Sequence, residues 1–179
     1  MSVASKIFNR FSIPAWTLIS WPVSMMTARL TGDALKDLPA GARVLDVGVG
    51  TGVTAALLAR EYEFEVDGVD ASPDMIRQAR VPDGVQLQEG DATALNFGNG
   101  VYDAVVYNHV LRYVHGGQTK QLVDEGKRVL KPEGFMIMSD LLLPQLWIPR
   151  LPRVNILADR FFLGVWSRFN RSDFIDFVE

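Results

Sequence analysis

Cysteine is absent from all 179 residues, which excludes a disulfide scaffold, thiolate catalysis and any Cys-ligated zinc or iron–sulfur centre. Histidine is nearly absent too: only His109 and His115 occur, too few for a His-rich metal site, and no metal is expected. A strong charge of one sign is missing, since the net charge of −3 does not suit a protein built to grip nucleic acid. No long unbroken hydrophobic run occurs. The apolar stretch from Phe11 to Leu30 is interrupted by Pro14 and Pro22, dotted with Ser and Thr, and short of the roughly 20 apolar residues a spanning helix needs. No small-residue cleavage site follows it, so it reads as a surface arm or lid rather than a signal peptide. Repeats and low-complexity tracts are also lacking.

What remains is the composition of one globular domain, with 48% apolar and 22% charged residues. Charge is unevenly spread. Residues 1–32 carry Lys6, Arg10 and Arg29 with no acid, residues 33–140 carry 10 bases against 17 acids, and residues 141–179 carry 5 arginines against 4 acids. The expected division is an apolar, basic N-terminal arm (1–36), an acidic core (37–140), and an apolar cap with a C-terminal helix (141–179).

From Arg43 the pattern alternates. Val44–Val47, Phe64–Val69, Val85–Gln88, Tyr102–Tyr107 and Phe135–Ser139 read as strands. Between them lie helical stretches at Val53–Tyr62, at Pro73–Ala79 behind a Ser72 cap, and at 118–130. This order implies an α/β fold, a doubly wound, mainly parallel Rossmann-like sheet with right-handed crossovers. Ligands of such sheets sit outside the carboxyl ends of the strands, so the loops there are the place to look for function.

The first loop, Asp46-Val47-Gly48-Val49-Gly50-Thr51-Gly52, permits a tight turn and close approach of a ligand to backbone N–H groups. Its third glycine comes one residue early for a dinucleotide fingerprint, which disfavours a nicotinamide cofactor, and no Gly-Lys-Ser/Thr follows to make a P-loop. Asp70 ends the second strand, where an acid can accept both hydroxyls of a ribose; helix capping is the plainer alternative. Asp91, in Gly90-Asp91-Ala92, is placed to meet an adenine amino group or is simply a solvated loop acid.

The successive segments VLDVGVGTG, VDGVDASPDMIRQA, QEGDATAL, YDAVVYNHVLRYV and RVLKPEGFMIMSD resemble the motifs of class I S-adenosylmethionine-dependent methyltransferases, in order, over about residues 40–140. The resemblance implies S-adenosyl-L-methionine as cofactor. By position, Gly48, Gly50 and Gly52 would receive its methionyl portion and Asp46 would help hold the methionyl amino group. Asp70 would bind the ribose, Ala71 and Met75 would flank the adenine, and Asp91 and Ala92 would meet its edge. Asn108 and His109 would lie by the methionyl end, opening onto the acceptor. His109 is the candidate base, with a purely structural, backbone-bonded histidine as the alternative; His115, Arg112 and Tyr113 are secondary candidates. No Asn-Pro-Pro-Tyr follows strand four, which disfavours the amino-group methyltransferases that use it.

Both flanks are strongly apolar, which favours a small hydrophobic acceptor, and the arginines among residues 141–169 suit peripheral contact with anionic headgroups of a membrane in an otherwise cytoplasmic protein. Packing of the flanks on each other or on another subunit is the alternative. Ser172 is expected to cap a last helix, and the chain ends before the two further strands of the family sheet. The fifth strand would then be an open edge, pointing to a fragment, a homodimer or a completing subunit. Two functions follow: an active methyltransferase, or a catalytically silent methyltransferase-like subunit that stabilises a partner.

Overall fold

The computed structural model describes residues 21–114 and 118–139, and residues 167–170 by backbone alone. A helix over 21–35 (α1) leads to strand β1 (Arg43–Val47), helix α2 (Val53–Glu61), β2 (Glu65–Asp70), α3 (Pro73–Gln78) and β3 (Gln86–Glu89). Then come β4 (Tyr102–Asn108), a 3-10 turn (Leu111–Tyr113), α4 (Gln118–Val129), β5 (Leu130–Ser139) and β6 (Ser167–Asn170). The six strands form one sheet in the order β3-β2-β1-β4-β5-β6, the first five mutually parallel and β6 antiparallel to β5. The expected α/β Rossmann-like architecture is therefore present.

Side-chain alternation along the central strands builds two apolar layers. Leu45 and Val47 of β1 join Val105 and Tyr107 of β4 on the face covered by Leu122, Val123 and Val129 of α4. Val44, Ala104 and Val106 point the other way, against Ala55 and Leu58 of α2 and Ala28 and Leu35 of α1. By the same alternation Asp46 and Asn108 belong to the α1/α2 face, and both are buried. Outer strand β3, with the sequence QLQE, has no fully buried residue and so blunts its edge with polar side chains.

Three expectations change. The fifth strand is not an open edge: Phe135–Met138 pairs with Ser167–Asn170, so the position beside it is held by residues assigned from sequence to the cap. That pairing removes the edge as a reason to expect an oligomer. The Lys131-Pro132-Glu133-Gly134 turn does not precede β5 but lies inside it, because Leu130 is already paired with Tyr102 and fully buried, and the register shifts before Ala104 meets Phe135. Gly134 makes this irregularity feasible, since a Cβ there would sit 2.7 Å from the Leu130 side chain. Finally, the second half of the presumed arm is a packed helix whose inner side buries Thr27, Ala28, Thr31 and Leu35. No described helix is long and apolar enough to cross a membrane. His115, the Arg112 side chain, residues 1–20, most of the cap and the helix expected after Ser172 lie outside the described residues.

Candidate active site

The chain reverses its direction across the sheet between β1 and β4, the switch point at which doubly wound folds bind ligands. Along the carboxyl edge the order of strands sets Asp91, Asp70, Asp46 and Asn108 in a row.

Gly48, Gly50 and Gly52 all have left-handed backbones, with φ of +73°, +56° and +85°, but their surroundings differ. A Cβ on Gly48 would collide with Val110, and one on Gly52 would sit 2.5 Å from Val81. At Gly50 the nearest atom to such a Cβ is the Gly48 carbonyl oxygen, 3.9 Å away. Two glycines let the turn pack closely; the middle one leaves an open cradle. The Gly50 amide donates to Asp70 Oδ2 at 2.8 Å, and the Ser72 amide donates to Asp70 Oδ1 at 2.8 Å, so Asp70 ties the glycine turn to the start of α3. Ser72 caps α3 by accepting from the Met75 amide at 3.4 Å; Met75 is half-buried and Ala71 exposed.

Asp46 is the unusual group. It is 2% exposed, the Ala55 amide donates to it, and its Oδ2 has no hydrogen-bond partner. Burial, and then the neighbouring Asp70 carboxylate, push its pKa up to about 7. A buried carboxylate oxygen without a donor is costly, and it invites a cationic or hydrogen-bonding ligand. Together with the open space at Gly50, it fits the amino-acid end of S-adenosylmethionine.

After β3, two strands out from Asp46, Asp91 is exposed, and its Oδ1 accepts from the Thr93 amide at 2.8 Å and the Thr93 hydroxyl at 2.7 Å. Those bonds hold its carboxyl below the usual carboxylate range. Ala92 packs against the α4-side core. The loop that follows is clamped by Arg128, which donates to the carbonyls of Leu95 and Phe97 at 2.7 and 2.8 Å and pairs with Glu125 at 2.8 Å.

At the end of β4 the side chains are already partnered. Asn108 Nδ2 donates to Thr31 Oγ1 at 3.2 Å and Thr54 Oγ1 at 3.1 Å, while its Oδ1 accepts from Ser139 Oγ at 2.5 Å. One amide thereby joins α1, α2 and β5. His109 has a left-handed backbone with φ +61°, rare for a histidine, and its amide donates to the Ser139 carbonyl at 2.7 Å. It is thus neither in a strand nor at a helix start. Its Nε2 lies 3.1 Å from Thr27 Oγ1, and the Thr27 hydroxyl donates to the Val23 carbonyl at 2.9 Å. That hydroxyl therefore links the His109 ring to the Val23 carbonyl within α1. Tyr113, in the following turn, is 67% exposed. No cluster of metal-ligating side chains occurs among the described residues.

A family model described as "Methyltransferase domain" matches residues 44–134, from the core of β1 through the irregular start of β5. The chain belongs to the methyltransferase-domain family. Within it, the fold and motif order place the chain among the class I S-adenosylmethionine-dependent methyltransferases. It is 36% identical over 118 residues to demethylmenaquinone methyltransferase of Renibacterium salmoninarum, covering 65% of this chain and 48% of that protein. It is 28% identical over 127 residues to sarcosine/dimethylglycine N-methyltransferase of Aphanothece halophytica, covering 67% of this chain and 45% of that protein. Among solved structures, the PH0226 protein of Pyrococcus horikoshii aligns with a TM-score of 0.56 at 34% identity, over 63% of this chain and 55% of that one. The chain thus spans about half the length of the curated relatives it matches.

Sequence patterns did not single out Thr27, Thr31, Thr54 or Ser139. A signal existed for the first pair: Thr27 and Thr31 are four residues apart in an apolar stretch, so they share one helix face. For Thr54 and Ser139 only the packing of three elements on Asn108 reveals the role.

Proposed function

We propose that this methyltransferase-family chain transfers a methyl group from S-adenosyl-L-methionine to a small, apolar acceptor of the quinone type. The observation that carries the cofactor assignment is the unpartnered, buried Oδ2 of Asp46 beside the open turn at Gly50. The acceptor class is supported by the apolar flanks and by the likeness to a demethylmenaquinone methyltransferase. An acceptor of this kind resides in a bilayer, so the proposal includes peripheral contact with a membrane from the cytoplasmic side.

When bound, the cofactor supplies an activated methyl group on its sulfonium. In this proposal Asp46 holds the methionyl ammonium, and the ion pair restores the ionised carboxylate that burial disfavours. Gly48, Gly50 and Gly52 shape the turn that admits the methionyl portion. Asp70 accepts from the ribose hydroxyls while its backbone donors fix its orientation. Ala71 and Met75 line the adenine, with Asp91 and Ala92 at its edge. Asn108 acts through position, because its amide is spent on Thr31, Thr54 and Ser139. His109 is the candidate base for the proton the acceptor gives up. Positioning and exclusion of water supply the rest.

Calorimetric titration with S-adenosylmethionine, S-adenosylhomocysteine and NAD tests the cofactor, and mass spectrometry of a menaquinone-precursor acceptor tests the transfer. Saturable binding of the first two and a gain of one methyl on the acceptor are expected. No binding of either, or binding undiminished in Asp46→Asn and Asp70→Ala, overturns the proposal. Tight binding without turnover on any acceptor tried favours the silent-subunit alternative.

A further inference from the structure

Four large hydrophobic side chains are exposed among the described residues, and three belong to one helix: Trp21 at 50%, Met26 at 37% and Leu30 at 41%, all on α1. Pro22, Met26 and Leu30 recur every fourth residue and form a stripe on its outer side, with Arg29 exposed beside Leu30. The inner side of the same helix is polar where it meets the site, through Thr27 to His109 and Thr31 to Asn108. Beside its first turns a cleft of about 600 Å³ runs between α1 and α2. Trp21, Met25 and Leu57 line it, and Arg60, Arg80 and Glu61 stand among its lining residues. The exposed charged residues of α1 are Arg29 and Asp33, and the cleft adds Arg60, Glu61 and Arg80. The patch is therefore apolar, with three bases against two acids, in a protein whose net charge is −3.

We infer that the outer face of α1 and the adjoining cleft form the surface by which this protein docks on an anionic lipid bilayer. A half-exposed tryptophan with aliphatic side chains at helical spacing suits the interfacial layer, and arginines beside them suit anionic headgroups. A soluble acidic partner would match the arginines but leave Met26 and Leu30 unexplained. The occupant rests on the apolar acceptor proposed above, because a helix that touches the membrane outside and His109 and Asn108 inside would set the acceptor entrance against the acceptor's own solvent.

Co-sedimentation with vesicles tests this, comparing pure phosphatidylcholine with phosphatidylcholine containing about a third phosphatidylglycerol. The parent is expected to bind the anionic vesicles and to release in about 0.5 M NaCl. The triple variant Trp21→Ser/Met26→Ser/Leu30→Ser and the double variant Arg60→Gln/Arg80→Gln are each expected to partition at least ~10-fold more weakly. Both should keep the parent's affinity for S-adenosylmethionine by calorimetry, which shows that the fold is intact. Equal sedimentation of parent and variants, or no vesicle binding by the parent, overturns the inference. Concentration-dependent dimerisation abolished by the triple variant, without vesicle binding, would make the face a protein interface instead. Vesicle binding with no cofactor binding would sink the proposed function and leave the docking surface standing.

Discussion

The two halves of the switch point handle buried polarity in opposite ways. On the β1 side, Asp46 is buried with an orphan oxygen and its pKa pushed up to about 7, and the adjacent turn is open at Gly50. On the β4 side, Asn108 is also buried, yet its amide is joined to three protein hydroxyls. Unsatisfied polarity costs stability and is retained where a ligand will meet it; satisfied polarity stabilises one arrangement of the surrounding elements. One half therefore keeps an unmet polar atom, and the other ties α1 to α2 and β5.

The largest effect should come from the glycine turn. Gly48→Ala places a methyl group into Val110 at a left-handed φ, and a loss of ~3 kcal/mol in denaturant unfolding is expected. Gly50→Ala has the strain without the collision, so it should cost only about 1 kcal/mol while lowering cofactor affinity ~100-fold, because its methyl group occupies the cradle. If both variants lose stability equally, the distinction between packing glycine and cradle glycine fails.

Next is Asn108→Ala, which strands the hydroxyls of Thr54 and Ser139 and leaves that of Thr31 only its bond to the Thr27 carbonyl. A cost of ~2–3 kcal/mol is expected, with hydrogen exchange in α1 accelerating more than in α4. Uniform acceleration would show that Asn108 does not anchor α1 in particular.

Asp46→Asn should do the reverse on the other half. The folded-state pKa of Asp46 is raised above its ordinary 3.8, so the native protein binds the extra proton between that value and about 7. Stability from this group is full at low pH and falls as pH rises through that window. Above pH 7 the cofactor-free Asn variant should therefore be more stable than the parent, on the order of 2 kcal/mol, and the difference should vanish toward pH 4. Cofactor affinity of the parent should rise with pH up to about 7 and then level off, and the variant should lose that dependence. A parent affinity that does not vary with pH would count against Asp46 as the ammonium partner.

The smallest change in stability belongs to His109. Glycine relieves the left-handed strain but removes the bond to Thr27, so His109→Gly should unfold within about 1 kcal/mol of the parent, and His109→Ala should be the less stable of the two. Turnover separates the roles. A base predicts a large loss of kcat in both variants with the pH profile altered; a latch for α1 predicts a change mainly in KM.

Much of this was readable in the chain. Alternating apolar runs predicted β1, β2, β3 and β4 to within a residue at either end, and the first three runs are bounded by glycine or a charged residue. β5 was harder, because its irregular start depends on Leu130 being buried against Tyr102, a contact between residues 28 apart. Asp46, Asp70 and the three glycines were visible as a motif, but the motif treats the glycines alike. Only the neighbours Val110 and Val81, distant in sequence, separate their duties. His109 was visible as a residue type at a strand end; its left-handed backbone and its bond to Thr27, 82 residues earlier, were not.

The sequence by itself determined the alternation of strands and helices, the glycine turn and the acids at successive strand ends, because local periodicity and backbone freedom are properties of neighbouring residues. Tertiary structure decided which of those groups is left wanting a partner. Oδ2 of Asp46 is unpartnered, Asn108 is satisfied, and α1 is a packed helix with an apolar outer face only because β1, β4 and α2 meet where they do. Burial and hydrogen-bond satisfaction depend on groups brought together from far apart in the chain, which no local pattern encodes.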